Sequence, residues 1–552
     1  MKSSGTAPYG QRLLPVTIDE IAKNDPNRIA FSFPRSSELS AGFRDVSFRT
    51  FANAIDKTAR FIQKEIGRNS TFETVLYMGY PDIRHFIILV ALIKTGHKVL
   101  FSSHRNSIAG HANLIQKTRC ATLIHSDGFP VAEILATCQI KTACMPDLDI
   151  LLADTPSDHY PYSKTFDEAK DDEVLVLHTS GTTGLPKPVV WSNATTVTTD
   201  AHQLLPPLDN RPCLWGSWFR ANGRSFSALP VFHGAGIASG ILRSVFLDTV
   251  IVIGPPGLTT ADTFDQVLEY GNIDTAGCLP ITLDEVAKRP DILAKLHKLK
   301  SITFVGAGLL SQETGDIIAR HCHLVNIIAS TETSTLIQYI TDPEDWQYLC
   351  IDSRHNGIEW RPVGGDTDLY EPIFVRDPKQ ELFQGIFKNF PSLKEYSMSD
   401  LYTKHPTKTH HWKHEGRKDD LIVFQSGWNF NPIIHEDHIR SHPSVQNCIL
   451  VGTGRHKAAA IVELGPNAYT EEVEGQKRLL EGIWPKIEEA NRFADTTGQL
   501  EKDLILFAKK ERPFAMTGKG SIQRKATEKL YEPEINELFA SIKDQYGREP
   551  AI

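Results

Sequence analysis

Residues 178–188 read HTSGTTGLPKP, which sets two hydroxyl pairs (Thr179 with Ser180, Thr182 with Thr183), Gly181, Gly184 and Lys187 between the apolar runs VLVL and VVW. Glycines let main-chain N–H groups close on an anion, hydroxyls add donors, and a lysine adds a mobile cation, so the run suits a phosphate cradle. It is not the G-x-x-x-x-G-K-[ST] loop: Leu185 and Pro186 separate Gly184 from Lys187, and no hydroxyl follows the lysine to meet magnesium. A hydroxyl-rich hairpin turn is the plainer reading of such a run taken alone. Further short motifs follow in order: FHGAG at 232–236, VGAGLL at 305–310, NIIASTE at 326–332, SMSDLY at 397–402, HEGRKDD at 414–420 and TGKGSIQR at 517–524. Neither G-A-G at 306–308 nor G-T-G at 452–454 completes a dinucleotide fingerprint.

Together these motifs resemble the adenylate-forming superfamily of acyl-CoA synthetases, luciferases and peptide-synthetase adenylation domains. Activating a carboxylate with ATP builds negative charge on a pentacoordinate α-phosphate, so such a site must hold magnesium and present cations there. The resemblance implies that the 179–187 loop closes on the triphosphate and that Glu332 ligates magnesium. Thr331 then touches the α-phosphate, and Ser330 stands beside it on the nucleotide side. Gly306, Ala307 and Gly308 would form a flat wall against adenine. Asp400 would bind both ribose hydroxyls, Arg417 the ribose and phosphate side, and Asp419 would be the hinge. The family's closing pattern G-K-x-x-R, counted back from Arg524, lands on Ser521. Either the lysine has shifted to Lys519 or it is missing; the long, flexible side chain favours Lys519 as the catalytic cation.

The acid pocket implied by the same register is His233, Gly234, Ile237, Thr303, Val305, Ile327, Thr335 and Leu336. Amino-acid-activating relatives place an aspartate where His233 stands, to pair with the substrate ammonium. Burying an ammonium without a carboxylate is costly, so α-amino acids are poor candidates and an aryl or apolar acid fits better. Trp215, Trp218 and Phe219 upstream are either core residues, pocket walls, or a cage for a betaine-type cation. Two segments, 96–124 and 519–539, are similar to fungal peptide-synthetase-like carboxylic acid reductases. There an adenylation domain precedes a carrier and then a reductase or thioesterase. The resemblance therefore implies ATP and magnesium as cofactors, a phosphopantetheine thiol as acceptor, and a carrier domain in cis or in trans. The residues after Arg524 are too few for a carrier, so the expectation is a first module or a free-standing relative. A CoA-using acyl or aryl synthetase and a catalytically silent binding module remain alternatives.

The elements that must position these residues alternate in kind. FANAIDKTARFIQKEI has helical spacing, TVLYMGY reads as a strand, HFIILVALIKTG as a buried helix, and CATLIHSD, VLVLHTSG and TVIVIGPPG as short buried strands. This predicts an α/β fold: a large N-terminal domain of layered sheets and helices over 1–416 and a smaller, mobile α+β domain over 417–552. In the latter, LIVF and NCILVG read as strands and TEEVEGQKRLLEGIWPKIEEANRF as a helix. At 552 residues the chain exceeds one compact core, and 41% hydrophobic residues suffice for more than one. Lys plus Arg number 59 and Asp plus Glu 67, a net charge of −8 without a basic stripe, which excludes nucleic acid as a partner. Eight scattered cysteines without C-x-x-C pairs argue against a zinc site or disulfide framework, and His405, His410, His411 and His414 lack an accompanying ligand set. The longest aliphatic run, FIILVALI at 86–93, is too short for a membrane span. A soluble, cytoplasmic protein is expected.

Overall fold

The computed structural model describes residues 7–180, 185–221, 223–305, 310–363, 368–425, 429–492, 494, 497–516 and 522–546. The fold is α/β, and the chain divides into a larger and a smaller unit. The first comprises residues 1–359, 373–397 and 404–414, the second 360–372, 398–403 and 415–552.

Two largely parallel sheets form the core of the first unit, which also holds strands of an antiparallel sheet that include Gln338–Tyr339 and Tyr348–Ile351. One runs in the order Leu324–Ile327, Ser301–Val305, Thr275–Cys278, Arg224–Ser227, Val250–Ile253, Ile29–Pro34, Phe43–Ser47, and the other in the order Lys141–Met145, Thr122–Ser126, Thr74–Met78, Lys98–Phe101, Glu173–Ser180, Pro186–Ser192. Each is parallel throughout except for the antiparallel pair that ends it. Strands buried on both faces read as continuous apolar runs, which is why TVLYM and VIVI carry no alternation.

The helix Arg84–Thr95 is buried on every side, and its apolar residues belong to one cluster with Phe31 and Ile251 of the first sheet and Val75 and Tyr77 of the second. A helix apolar all round has to lie inside. It stops at Gly96, φ 83°, where a β-carbon would lie 1.9 Å from the carbonyl oxygen of Asn69. The helix Phe48–Glu65 starts at Ser47, whose hydroxyl accepts from Thr50 N. Lys94, fully enclosed within the buried helix, is neutralised by Asp19 at 2.8 Å and Asp56 at 2.9 Å.

In the second unit an antiparallel pair, Val445–Val451 with Ala459–Leu464, is extended in parallel by Ile505–Phe507 and covered by the helices Ile433–Arg440, Val473–Asn491, Arg524–Leu530 and Glu532–Tyr546. Three separate stretches of chain interlock in it: Tyr370 pairs with Tyr402, Lys418 Nζ meets Glu371 at 2.8 Å, and Thr403 Oγ1 donates to Glu415 at 2.8 Å. Of the expected LIVF strand only Ile422–Val423 is paired, with Asn429–Phe430, and the buried Phe424 stacks on Phe430 at 5.8 Å. All eight cysteines are free. Among the described residues no helix is long and apolar enough to cross a membrane.

The Lys94 cluster yields a stability test. Asp56→Ala leaves a buried ammonium with one partner and should cost about 3 kcal/mol in urea unfolding, part of which Lys94→Met in the same chain should recover. A loss below about 1 kcal/mol would show that Asp19 alone compensates the charge.

Candidate active site

The strand Glu173–Ser180 carries Thr179 and Ser180 to its end, and the return strand Pro186–Ser192 sets Lys187 opposite Thr179 and Pro186 opposite Ser180. Lys187 is exposed. Gly181, Thr182, Thr183 and Gly184 lie outside the described residues, as do Gly306, Ala307, Gly308 and Lys519.

Beyond the strand Leu324–Ile327 the chain makes a tight hairpin in which Ala329 pairs with Thr335 and Ser330 with Ser334. Ser334 takes a left-handed conformation, φ 62°, and Ser330 Oγ accepts from Thr333 N at 3.0 Å, so the turn is closed locally. Two side chains from elsewhere then hold its main chain. Trp191 Nε1 donates to Thr331 O at 2.7 Å. Asn389 Nδ2 donates to Glu332 O at 2.8 Å while its Oδ1 accepts from Thr195 Oγ1 at 2.7 Å. The Thr331 hydroxyl and the Glu332 carboxylate enter none of the hydrogen bonds or ion pairs found among the described residues. A half-buried carboxylate on a turn fixed through its carbonyls, with a hydroxyl one residue before it, is a donor set of hard oxygens that fits magnesium and a phosphate.

Trp191 also reaches the expected acid pocket. A β-carbon on Gly234 would sit 3.6 Å from its Cζ2 and 3.5 Å from Leu177 Cδ1. His233 precedes the short helix Gly234–Ile237, which is pressed so closely on the Pro230 turn that a β-carbon on Gly236 would come within 2.0 Å of Pro230 O. The His233 ring stands perpendicular to those of Phe232, at 4.8 Å, and His178, at 6.5 Å. His178 Nε2 accepts from Ser103 N at 3.0 Å and from Asn106 Nδ2 at 3.3 Å. Behind Phe232 lie His104, at 4.6 Å, and His85, at 6.2 Å. Burial pushes His85 down to about 3 and His104 to about 4, so both are neutral at pH 7.

The other pocket positions divide by role. Val305 faces Ile327 across adjacent strands, and Ile237 and Ile327 are buried in the apolar core. Two hydroxyls are engaged within the fold: Thr303 Oγ1 donates to Ala276 O at 3.2 Å, and Thr335 Oγ1 lies 2.9 Å from Thr199 Oγ1. Leu336 lines a crevice with Thr333, Asn356 and Phe383. Of the upstream aromatics, Trp215 and Phe219 are core residues, packed edge to face at 4.9 Å.

Asp400 and Arg417 fall in the second unit. Asp400 opens the strand Asp400–Lys404, and Arg417 closes His411–Arg417 with Nη2 3.4 Å from Met398 O and 3.7 Å from the exposed Asp419. Arg524 is buried, donating to Glu436 at 2.6 Å and to Leu450 O at 2.9 Å and lying 3.4 Å from Asp420.

None of the four clustered histidines joins a group able to hold a metal among the described residues. His405 lies 3.4 Å from Asp345, and His411 Nδ1 is 2.6 Å from Thr409 O. The acidic trio Asp342, Glu344 and Asp345 is already neutralised by Lys408, with Arg211 on Asp342, and the hydrogen bond from Arg211 holds Asp342 well below the usual carboxylate range.

Trp191, Asn389, Ser103 and Asn106 were not singled out by the sequence. Trp191 sits in the alternating run VVWS, where an aromatic reads as core; Asn389 and Asn106 belong to no motif.

The chain matches a model described as AMP-binding enzyme over residues 18–361 and one described as AMP-binding enzyme C-terminal domain over 419–543. It is similar to the isocyanide synthase-NRPS hybrid crmA of Aspergillus fumigatus, with 36% identity across 99% of this chain and 34% of that protein. It is also similar to a carboxylic acid reductase of Neurospora crassa, with 34% identity across 98% of this chain and 52% of that protein. The chain thus spans between about a third and about half of these relatives. In fold it resembles an O-succinylbenzoate coenzyme A synthetase of Bacillus subtilis in complex with AMP, with a TM-score of 0.68 and 15% identity over 92% of this chain and 97% of that one.

The turn holding Glu332 yields a test. Trp191→Phe keeps an aromatic ring but removes the donor to Thr331 O together with the volume of the second ring. It should cost about 1–3 kcal/mol and weaken equilibrium binding of magnesium–ATP by about 10-fold; unchanged affinity would separate this bond from the site.

Proposed function

The chain belongs to the AMP-binding enzyme family and is an adenylate-forming enzyme, and from that premise we propose that it activates a non-amino, aryl or otherwise apolar carboxylic acid as acyl-AMP. The acyl group then passes to the phosphopantetheine thiol of a carrier domain, in cis or in trans, as the opening step of acid reduction. One observation carries the reading: the Ser330–Thr335 turn is held by Trp191 and Asn389 through its carbonyls, while among the described residues the Thr331 hydroxyl and Glu332 carboxylate take no partner. The name of the Neurospora crassa relative supports acid reduction as the outcome.

Each step follows from charge. A carboxylate oxygen of the acid attacks the α-phosphorus, the bond to the bridging oxygen of the β-phosphate breaks, and pyrophosphate leaves. Magnesium, when bound, offsets the triphosphate charge and steadies that leaving group. Glu332 would hold it, with Thr331 on the α-phosphate and Thr179, Ser180 and Lys187 toward the outer phosphates. Lys519 would meet the charge growing on the α-phosphate. Asp400 and Arg417 would hold the ribose. In the second half-reaction the carrier thiolate attacks the carbonyl carbon and AMP leaves. For the acid, the rings around His233 are His178 and Phe232, backed by neutral His85 and His104, and no carboxylate is among them. A buried ammonium has no counter-ion in that group.

Two tests follow. In pyrophosphate exchange across matched pairs, phenylpropionate and benzoate should turn over at least about 10-fold faster than phenylalanine and other α-amino analogues, the discrimination expected from an unpaired buried ammonium; equal turnover of phenylalanine and phenylpropionate refutes the pocket reading. If free CoA accepts the acyl group as readily as a loaded carrier, the enzyme is an acyl-CoA synthetase instead. Separately, Lys519→Ala should slow adenylation on the order of 10²-fold while capture of supplied acyl-AMP by the thiol survives. Asp419→Pro should impair transfer more than adenylation, since it restricts φ at the hinge. Intact adenylation in the lysine variant would show that Lys519 is not the catalytic cation.

A further inference from the structure

His178 immediately precedes the hydroxyl pair of the phosphate loop, and no role attaches to it in the nucleotide or acid chemistry above. Its surroundings fix which of its nitrogens carries the proton. Nε2 lies 3.0 Å from Ser103 N and 3.3 Å from Asn106 Nδ2. A main-chain N–H donates at every pH, so Nε2 has to offer its lone pair and the proton sits on Nδ1.

The clamp is itself satisfied in one direction. The Asn106 amide has two hydrogens; one goes to His178 and the other to Ser102 Oγ at 3.0 Å. Ser102 Oγ lies 2.8 Å from His111 Nδ1, so its own hydrogen has that nitrogen as acceptor. Ser102, Ser103 and His111 are all buried, and burial pushes the His111 imidazole down, so this partner is neutral as well. An imidazolium at position 178 would turn a third N–H against two donors that cannot reverse. The loop 102–106 therefore excludes a cation at that point.

The ring so fixed stands perpendicular to His233 at 6.5 Å, and Phe232 closes on His233 at 4.8 Å. His233 is thus set between two rings, one of which is locked in tautomer and place. We propose that His178 is a positioning residue for acid binding: loop 102–106 holds it as the neutral Nδ1-protonated imidazole, and its ring fixes the orientation of His233 against the bound carboxylic acid. This rests on the assignment of His233 to the acid pocket. A neutral ring here also keeps a competing cation away from a carboxylate that must remain a nucleophile, since binding the ground state more tightly than the transition state would slow activation.

The test uses the whole chain labelled with 15N-histidine, with the His178 signals assigned by their loss in His178→Phe. In the unsubstituted protein, Nδ1 of His178 should be protonated and Nε2 not. Asn106→Asp removes one of the two donors and sets a carboxylate beside Nε2, so the Nε2-protonated form should gain population against the remaining Ser103 N–H, and the His233 signals should shift with it. In pyrophosphate exchange the same variant should raise KM for the acid by about 10-fold while KM for ATP changes less than about twofold, a split that general destabilisation does not produce. If Asn106→Asp does not fold, Asn106→Ala is read the same way, with a smaller change in both signals and KM. A proton on Nε2 in the unsubstituted protein overturns the proposal, as does a tautomer shift that leaves both His233 and the acid KM unmoved. If no acid on the panel supports exchange, the proposed function falls, and the spectra still decide the clamp: unmoved His233 signals in the variant overturn it.

Discussion

The hydrogen bond from the Trp191 indole to the carbonyl of Thr331 joins segments 140 residues apart, and the organisation of the site follows from it. Trp191 is almost wholly buried on the return strand of the phosphate-loop hairpin. Its ring abuts Gly234, at the start of the helix that follows His233, while its N–H holds the turn bearing Glu332. A bulkier residue at 234 would push against this indole; a smaller one at 191 would release the turn. The return strand, the helix after His233 and the turn bearing Glu332 therefore meet at one side chain.

Charge is treated differently in the scaffold and around the acid. In the scaffold, Lys94 is paired with two aspartates and Arg524 with Glu436 and Asp420, while the buried Arg243 lies over the Phe219 ring. Behind the Phe232 ring that packs on His233 lie His85 and His104, both kept neutral by burial.

Much of this was legible in the sequence, for physical reasons that also mark where legibility ends. The buried strands and the all-apolar helix Arg84–Thr95 announce themselves because a segment buried on all sides has few polar residues. Thr179, Lys187, Glu332 and His233 are legible because a chemical motif is local, and its residues lie within a few positions of one another. Asn389 and Asn106 are not, since each acts across a long sequence distance through one amide, and an isolated asparagine carries no period or spacing. The LIVF strand is short for a related reason: its length is set by pairing with Asn429–Phe430, which local pattern does not report.

The smaller unit is assembled from three stretches of chain, with Tyr370 paired to Tyr402 and Lys418 bound to Glu371 and, through its main chain, to Ser399. A recombination between homologues that crosses over once, just before residue 415, would inherit the tail from one parent and its lining at 360–372 and 398–403 from the other. The mismatch would fall on the Lys418–Glu371 and Glu415–Thr403 contacts. Grafting this unit as a working part therefore means transplanting three coupled segments, which makes it heritable as a set and awkward to exchange as a cassette.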